Sequence, residues 1–261
     1  RLSRAQQALI FNPHNRRHII MATHVAETSL TIPGIHFVID TGYARISRYN
    51  RRSKVQQLPV EKISRSAAEQ RLGRCGRIAA GICIRLYSEE DFQARAPFTE
   101  PEILRTSLAS VILQMKALQL GGIHDFPLMD PPDSRYINDG LRLLTELGAI
   151  DGNEDLTRIG KRLARLPLDP GLARVLLAAG DYGCLREMLI IVSALSMQDP
   201  RERPLDMQEH ADEAHARFHD ERSDFMTLLK LWEFYDQHAR MLGAGKLHKL
   251  CRQNFLSYTR M

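Results

Sequence analysis

Cysteine is scarce in this sequence, with only four residues in 261. The four, Cys75, Cys83, Cys184 and Cys251, are too far apart to form a Cys-x-x-Cys ligand pair or a disulfide framework. We therefore expect buried or half-buried free thiols in a protein of the reducing cytoplasm.

Long apolar runs are also missing. No stretch approaches the roughly 18 to 20 residues that a membrane span requires, and residues 1–6 lack the apolar core of a signal peptide. Hydrophobic residues make up 44% of the chain and charged residues 26%, which excludes disordered and collagen-like classes. The chain has no initial methionine, and Ser3 and Gln6 already show capping-box spacing. We therefore interpret it as a piece of a longer protein that is not bound to a membrane.

The positive charge is concentrated in one segment. The formal net charge is +5, yet residues 45–77 contain ten basic side chains against two glutamates and carry +8. The rest of the chain is therefore acidic, with a net charge of −3. A local basic segment of this kind indicates a polyanionic partner.

Residues 1–97 are typical of a parallel α/β layer. Apolar runs at 17–23, 36–40 and 81–87 predict buried strands, and helices are predicted at the start of the chain and over 66–76 and 88–94. Between the second strand and the 66–76 helix, residues 43–64 predict an inserted β-hairpin with a basic turn. About three strands would leave an unpaired sheet edge, so we expect disorder or intermolecular pairing within residues 1–45.

The rest of the chain is predicted to be helical in two parts. Residues 98–166 have the order of a winged-helix domain: helices over 102–120 and 133–147, a short hairpin, and a further helix to 166. Residues 167–261 predict a helical bundle, interrupted by a polar, proline-marked loop at 198–204. Its helices are predicted at 171–179, 184–197, 206–218, 223–240 and 247–260.

The octet QRLGRCGR at residues 70–77 is the most informative motif. On a helix, Arg74 and Arg77 would share a face and could hold one anion together. Gly73 and Gly76 would allow close approach of a phosphate or a second backbone, and each costs about 1 kcal/mol inside a helix. Guanidinium groups bind phosphate oxygens with paired hydrogen bonds. The alternative from spacing alone is a solvated basic helix.

A second segment, ATHVAETSLT at residues 22–31, follows a predicted buried strand. Hydroxyl groups at the carboxyl end of a strand suit phosphate or ribose binding, although a plain capped loop has a similar composition.

Together the two segments resemble motifs V and VI of superfamily 2 helicases. Their form resembles the DEAH-box RNA helicases, and residues 196–204, SMQDPRERP, resemble the bacterial HrpA-type branch. This resemblance covers essentially the whole chain.

The resemblance implies a fold and a set of roles. It implies the distal part of a second RecA-like domain over residues 1–97, then winged-helix and ratchet-like domains over 98–166 and 167–261. Arg74 and Arg77 would be arginine fingers on the ATP γ-phosphate, and Gln70 would place the phosphate and the lytic water. The implied nucleotide-binding residues are Phe11, Ser29 and Thr31. The implied RNA-binding residues are Thr23, Arg45, Arg48, Arg51 and Arg52, with the 43–64 hairpin separating strands at the duplex fork.

Three positions depart from the family pattern. His24 stands where asparagine is usual and Pro33 where aspartate is common, so neither is assigned a hydrogen bond. Cys75 replaces a small residue, and we expect it to pack rather than to take part in redox chemistry.

The sequence contains neither GxxxxGK[ST] nor a DEAH-like acidic motif, so the phosphate cradle and the Mg²⁺ carboxylates would lie elsewhere. The full-length enzyme would use ATP and Mg²⁺, while this chain alone would retain no cofactor and hydrolyse no ATP.

Expected partners are single-stranded or partly duplex RNA, an amino-terminal RecA-like domain in cis, and a protein activator. His210, His215 and His219 have a spacing that is typical of a solvated helix face rather than a metal site.

Two other functions remain open. Residues 101–261 could form a helicase-associated module that binds nucleic acid or protein without catalysis. A winged-helix transcription factor is the third alternative, but it would leave the octet without a role. Acidic residues also make the 133–147 helix a poor DNA-reading element.

Overall fold

The computed structural model describes residues 8–12, 16–28, 31–77, 79–204 and 206–261. These residues form two compact units, one from Leu9 to Leu156 and the other from Thr157 to Met261 with Ala8. The strands are β1 (Phe37–Asp40), β2 (Tyr43–Arg45), β3 (Arg48–Asn50), β4 (Val55–Gln57), β5 (Val60–Lys62) and β6 (Ile82–Arg85). The mixed α/β class followed by helices is as predicted.

A two-stranded parallel sheet lies in the first unit. β1 pairs with β6, with Phe37 opposite Ile82 and Asp40 opposite Arg85. The predicted strand at 17–23 was wrong: these residues have no regular structure, and Met21 is 95% exposed. A strand is held by hydrogen bonds to a neighbouring strand, and none of the described strands pairs with this segment. The expectation of disorder or intermolecular pairing was wrong for residues 37–45, which pair within the chain.

The inserted β-hairpin is present as two consecutive ladders. β2 pairs antiparallel with β5, and β3 pairs antiparallel with β4, with the turn at residues 51–54. Between the ladders, the Ile46 N–H donates to the Pro59 carbonyl at 3.1 Å. Proline cannot donate a ladder hydrogen bond, and the strands are interrupted at this point.

Helices of the first unit are shorter than the sequence pattern indicates. They are α1 (Val25–Thr28), α2 (Arg65–Leu72), α3 (Glu89–Gln93), α4 (Ala109–Ala117) and α5 (Ser134–Glu146), with 3-10 turns at Leu9–Phe11 and Glu102–Leu104. The helix predicted over 66–76 ends at Leu72, and Gly73 is its C-cap. This fits the low helix propensity of glycine.

The predicted 102–120 helix is divided by Arg105. The Tyr49 N–H donates to the Arg105 carbonyl at 2.8 Å, and the Arg105 side chain donates to the Ser47 carbonyl at 3.1 Å. Arg105 has a φ of −131°, outside the helical region. These bonds to the hairpin replace the bonds of a continuous helix. After α5, an antiparallel bridge between Ile150 and Leu156 forms the small hairpin of the winged-helix pattern.

The second unit is helical in its described residues. Its helices are α6 (Arg158–Leu163), α7 (Pro170–Asp181), α8 (Leu185–Ser196), α9 (Gln208–Ala216), α10 (Asp224–Met241) and α11 (Ala244–Gln253). A buried core cluster of this unit contains Phe218, Leu231, Cys251 and Leu256, and Leu231 reaches it from α10. The loop at 198–204 is fixed to the carboxyl-terminal segment by the Arg201–Leu256 bridge and by a 3.1 Å ion pair between Arg260 and Glu202. Cys75 and Cys251 are buried free thiols, and Cys83 and Cys184 are half-buried ones, as predicted.

Candidate functional site

One arginine joins the segments that the sequence pattern singled out. The Arg71 guanidinium donates to Asp40 Oδ1 at 2.6 Å, to Glu27 Oε2 at 2.9 Å and to the Tyr43 carbonyl at 3.2 Å. Arg71 lies in the last turn of α2, Asp40 ends β1, and Glu27 lies in α1. A single side chain therefore connects α2 with α1, the parallel sheet and the start of the hairpin.

Asp40 is the buried centre of this cluster. Its carboxylate accepts hydrogen bonds from the Gly42 N–H at 2.9 Å and the Tyr87 hydroxyl at 2.8 Å, besides the one from Arg71. Burial opposes ionisation, but these donors outweigh it and lower the pKa of Asp40. Burial, followed by the hydrogen bond to Asp40, raises the pKa of Tyr87 to about 12. The carboxylate is thus ionised and fully bonded at neutral pH.

A second arginine fixes the loop beyond Asp40. The Arg95 guanidinium lies 3.9 Å from the centre of the Tyr87 ring, and it donates to the Gly42 carbonyl at 2.7 Å and to Asp91 at 2.7 Å. Gly42 has a φ of +77°, and a Cβ there would lie 2.6 Å from Arg95 Nη2. Only glycine fits this position without strain.

The predicted helical pairing of Arg74 and Arg77 was wrong. Both residues follow the end of α2, in turns that begin at Gly73. Cys75, also beyond the helix, donates from its thiol to the Leu72 carbonyl at 3.0 Å. Arg74 is half-buried, whereas Arg77 is exposed. The two arginines therefore differ in solvent access and do not share a helix face.

The structure brings a predicted catalytic residue, Arg77, and a predicted nucleotide-binding residue, Thr31, together. Arg77 Nη1 donates a hydrogen bond to the Thr31 hydroxyl, so the octet meets the 22–31 segment at this point. Gln70 is exposed on α2. Phe11 is 44% exposed, and within the described part of the chain no ring contact or hydrogen bond joins it to the other candidates. Ser29 lies outside the described residues.

Among the predicted RNA-binding residues, Arg48 already has two partners. It forms 2.6 Å ion pairs with Glu61 and Glu100, whose hydrogen bonds raise the pKa of its guanidinium. Thr23 is exposed, and its carbonyl accepts from the Ala26 N–H at 3.1 Å at the start of α1. Arg45 and Arg52 are exposed.

The hairpin is fixed on α5 rather than projecting freely. The Tyr49 hydroxyl donates to Asp139 at 3.0 Å, and Lys54 pairs with Glu146 at 2.6 Å. Arg51 lies over the Tyr136 ring, 5.0 Å from its centre. All three residues contacted belong to α5. The hairpin and α5 therefore form one surface within the first unit.

Sequence reasoning missed the residues that hold the site together, namely Arg71, Asp40, Tyr87 and Arg95. An available signal was the acidic residue at the end of a buried strand followed by Thr41 and Gly42. A buried aspartate requires a cation or several donors, and Arg71 stood in the octet already. Its role could be assigned only once the strand and the helix were placed side by side.

Neither a metal cluster nor a membrane span is found in the described part of the chain. No group of three or more His, Cys, Asp or Glu side chains is arranged to hold a metal ion there. No helix of the described ranges is long and apolar enough to cross a membrane.

Three family models match the chain in consecutive segments. Residues 2–79 match the helicase conserved C-terminal domain, 140–168 the winged-helix part of the helicase-associated domain HA2, and 169–228 its ratchet-like part. The chain therefore belongs to the helicases that carry an HA2 region, as the motifs indicated.

Similarity to particular helicases extends over the whole chain. The chain is 56% identical to the ATP-dependent RNA helicase HrpA of Escherichia coli and 54% identical to the HrpA homolog of Haemophilus influenzae, with all of this chain aligned. Over 97% of its length it is 39% identical to the probable ATP-dependent RNA helicase DHX35 of Homo sapiens. The chain spans 20% of the Escherichia coli protein, 21% of the Haemophilus protein and 36% of the human protein.

Proposed function

We propose that this chain is the carboxyl-terminal part of the motor region of an ATP-dependent RNA helicase, which couples ATP hydrolysis to translocation on RNA and to its unwinding. Residues 1–97 would be the distal part of the second RecA-like domain, 98–166 the winged-helix domain and 167–261 the ratchet-like bundle. The chain alone hydrolyses no ATP in this proposal, because its sequence has no Walker loop and no acidic Mg²⁺ motif.

The hydrogen bond between Arg77 and Thr31 carries the proposal. It places an exposed guanidinium of the octet beside a hydroxyl of the 22–31 segment, at the surface of the unit. An exposed guanidinium can exchange a neutral hydroxyl partner for a phosphate. It can then stabilise the negative charge of a phosphoryl group during transfer. Arg71, in contrast, is committed to Asp40 and Glu27 and holds this surface together.

ATP would bind between this surface and an amino-terminal RecA-like domain of the same protein. Arg74 and Arg77 would supply positive charge to the γ-phosphate, Gln70 would orient the lytic water, and Phe11, Ser29 and Thr31 would contact the nucleotide. Mg²⁺, when bound, neutralises phosphate charge and would be held by carboxylates outside this chain. Thr23 and the hairpin arginines would hold the RNA by its phosphates, which gives little sequence preference.

The proposed setting is the cytoplasm, with single-stranded or partly duplex RNA as substrate and a protein activator as a further partner. The free thiols fit a reducing compartment. The similarity to the HrpA proteins supports an RNA substrate.

RNA-stimulated ATP hydrolysis by the full-length protein tests the proposal. Arg77→Ala should lower turnover by about 10³- to 10⁵-fold, because an arginine finger contributes that much to phosphoryl transfer, and it should leave the thermal unfolding midpoint and RNA binding unchanged. Thr31→Val removes the hydroxyl partner but keeps the finger, so its loss should be much smaller.

Arg240→Ala is the matched control, since that side chain is exposed on α10 and pairs with Asp236 of the same helix, which has no role in the proposal. Full turnover in Arg77→Ala would remove the finger assignment. RNA binding with no ATP hydrolysis in the unmodified protein would favour a helicase-associated binding module instead.

A further inference from the structure

A polar pocket opens beside the tip of the hairpin, where β3, the 51–54 turn and α5 meet. Its volume is about 360 Å³, within the range of about 300 to 1,000 Å³ that small-ligand sites occupy. It is lined by three arginines, two tyrosines, two amides and a proline: Arg48, Arg51, Arg52, Tyr49, Tyr136, Asn50, Gln57 and Pro59.

Four acidic groups around the pocket already pair with basic side chains other than Arg51 and Arg52. Glu61 and Glu100 pair with Arg48. Asp133 is held by Arg135 at 2.6 Å, and Asp139 by Arg142 at 2.6 Å. The charge of Arg51 and Arg52 therefore remains available to a ligand.

Neither Arg51 nor Arg52 has a side-chain hydrogen-bond acceptor among the described residues. The Arg52 side chain is exposed, and only its backbone N–H is bonded, to Asn50 Oδ1 at 2.9 Å. Arg51 lies over the Tyr136 ring without an ion pair. Both guanidinium groups therefore have unused N–H donors at the opening of the pocket. Each can bind a phosphate through two parallel hydrogen bonds.

The Arg51–Tyr136 pair adds an aromatic and planar surface to this charge. Nucleobases stack on tyrosine rings and on guanidinium planes, and such stacking tolerates any base. An acidic peptide would satisfy the arginines but would make no use of this surface or of the amides of Asn50 and Gln57.

We propose that this pocket binds one nucleotide of single-stranded RNA, with Arg51 and Arg52 on the two phosphates that flank it and its base on the Arg51–Tyr136 pair. Tyr136 is thereby assigned a binding role. Arg48 also positions the pocket wall through its pairs with Glu61 and Glu100. This proposal rests on the proposed RNA-binding function. Because the hairpin is bonded to α5 through Tyr49 and Lys54, the pocket exists before RNA arrives.

Fluorescence anisotropy with labelled oligouridine RNA at several salt concentrations, using the full-length protein, tests the pocket. The double variant Arg51→Gln, Arg52→Gln should lower the slope of log affinity against log salt by about 1.4, since each phosphate contact on a single strand contributes about 0.7. The variant Tyr136→Ala should weaken binding by about 5- to 150-fold, as expected for loss of one stacked base. Tyr136→Phe keeps the ring and should bind as the unmodified protein does.

The matched control is the double variant Lys161→Gln, Arg162→Gln, which removes the same charge from exposed positions of α6 and should keep the salt slope. Crosslinking of 4-thiouridine RNA to the unmodified protein should label the peptide that contains Tyr136, a readout that does not depend on how the variants fold. RNA binding with unchanged affinity and slope in the pocket variants, and no label at Tyr136, would overturn the pocket alone. Equal competition by polyglutamate would overturn the nucleotide assignment, and no RNA binding by the unmodified protein would overturn the proposed function itself.

Discussion

Arg71 donates a 2.6 Å hydrogen bond to the carboxylate of Asp40, whose side chain has no solvent exposure. The pair joins the end of α2 to the end of β1, and both residues directly precede the segments that carry the candidate functions. The turns with Arg74 and Arg77 follow α2, and the hairpin follows β1. This buried ion pair therefore helps to place both segments.

Replacement of Arg71 should affect both stability and turnover. Arg71→Ala leaves the buried Asp40 and the half-buried Glu27 without their cation, which should cost about 3–5 kcal/mol in the free energy of unfolding. Arg71→Lys keeps the charge but cannot bond Asp40, Glu27 and the Tyr43 carbonyl together. It should unfold at an intermediate denaturant concentration and lower ATP turnover of the full-length protein by up to about 100-fold, the cost of a small misplacement of reacting groups. Wild-type stability of Arg71→Ala would show that the pair does not hold the site.

Acid should destabilise the first unit through Asp40. Since the pKa of Asp40 is lowered in the folded state, its stabilising contribution is complete above its ordinary pKa of about 3.9 and is lost as the pH falls below that value. The free energy of unfolding, measured with denaturant at values from about pH 6 down to about pH 3, should show this loss. Asp40→Asn should make the decline shallower, whereas Asp155→Asn, in an exposed turn, should leave it as steep. Equal slopes for all three proteins would contradict the assignment.

Gly42 should not tolerate a side chain. Alanine there adopts a left-handed conformation that costs about 1–2 kcal/mol, and its Cβ would overlap Arg95 and the Tyr87 ring, which adds about 1–3 kcal/mol. Gly42→Ala should therefore lower the unfolding midpoint in a thermal melt. Gly152→Ala, whose Cβ would meet nothing within 4 Å, should melt within a degree or so of the unmodified protein. A neutral Gly42→Ala would mean that the loop can move away from Arg95.

Two of the seven tyrosines should ionise near pH 12 in an alkaline titration. Burial, then a hydrogen bond to a carboxylate, raises the pKa of Tyr49 and of Tyr87 to about 12, and burial also raises the pKa of Tyr235. Because the folded values of Tyr49 and Tyr87 lie above the ordinary value of about 10, both contributions to stability are complete below about pH 10 and are lost between pH 10 and 12. Ultraviolet absorbance should show a phase near pH 12 with the amplitude of two tyrosines, and Tyr49→Phe or Tyr87→Phe should each remove about half of that amplitude. Tyr182→Phe, at an exposed position, should leave the amplitude of this phase unchanged.

Local chemistry made most helices predictable. Ser64, Ser88, Asp133 and Asp169 each cap a helix with the side chain, and serine and aspartate are residue types that favour this position. The alternation around the basic turn predicted the hairpin in the same way, and the spacing of motifs identified the helicase resemblance. For the caps the cause lies within a few residues of chain, where sequence order and spatial neighbourhood coincide.

The wrong predictions depended on distant residues. The segment 17–23 has a strand composition, but a strand requires a neighbour that no local pattern supplies. Arg105 lies within a helical pattern and is bonded to Ser47 and Tyr49 instead. The octet contains several arginines of similar spacing, and only Arg71 has Asp40 and Glu27 within reach.

The sequence by itself determined most of the element types, the concentration of basic charge and the motifs that define the helicase class. Only the tertiary structure decided which arginine is structural and which is available to a ligand, and that the hairpin forms a pocket with α5. The reason is physical: a guanidinium is committed or available according to the carboxylates within about 4 Å of it, and those carboxylates stand 31 and 44 residues away from Arg71 along the chain.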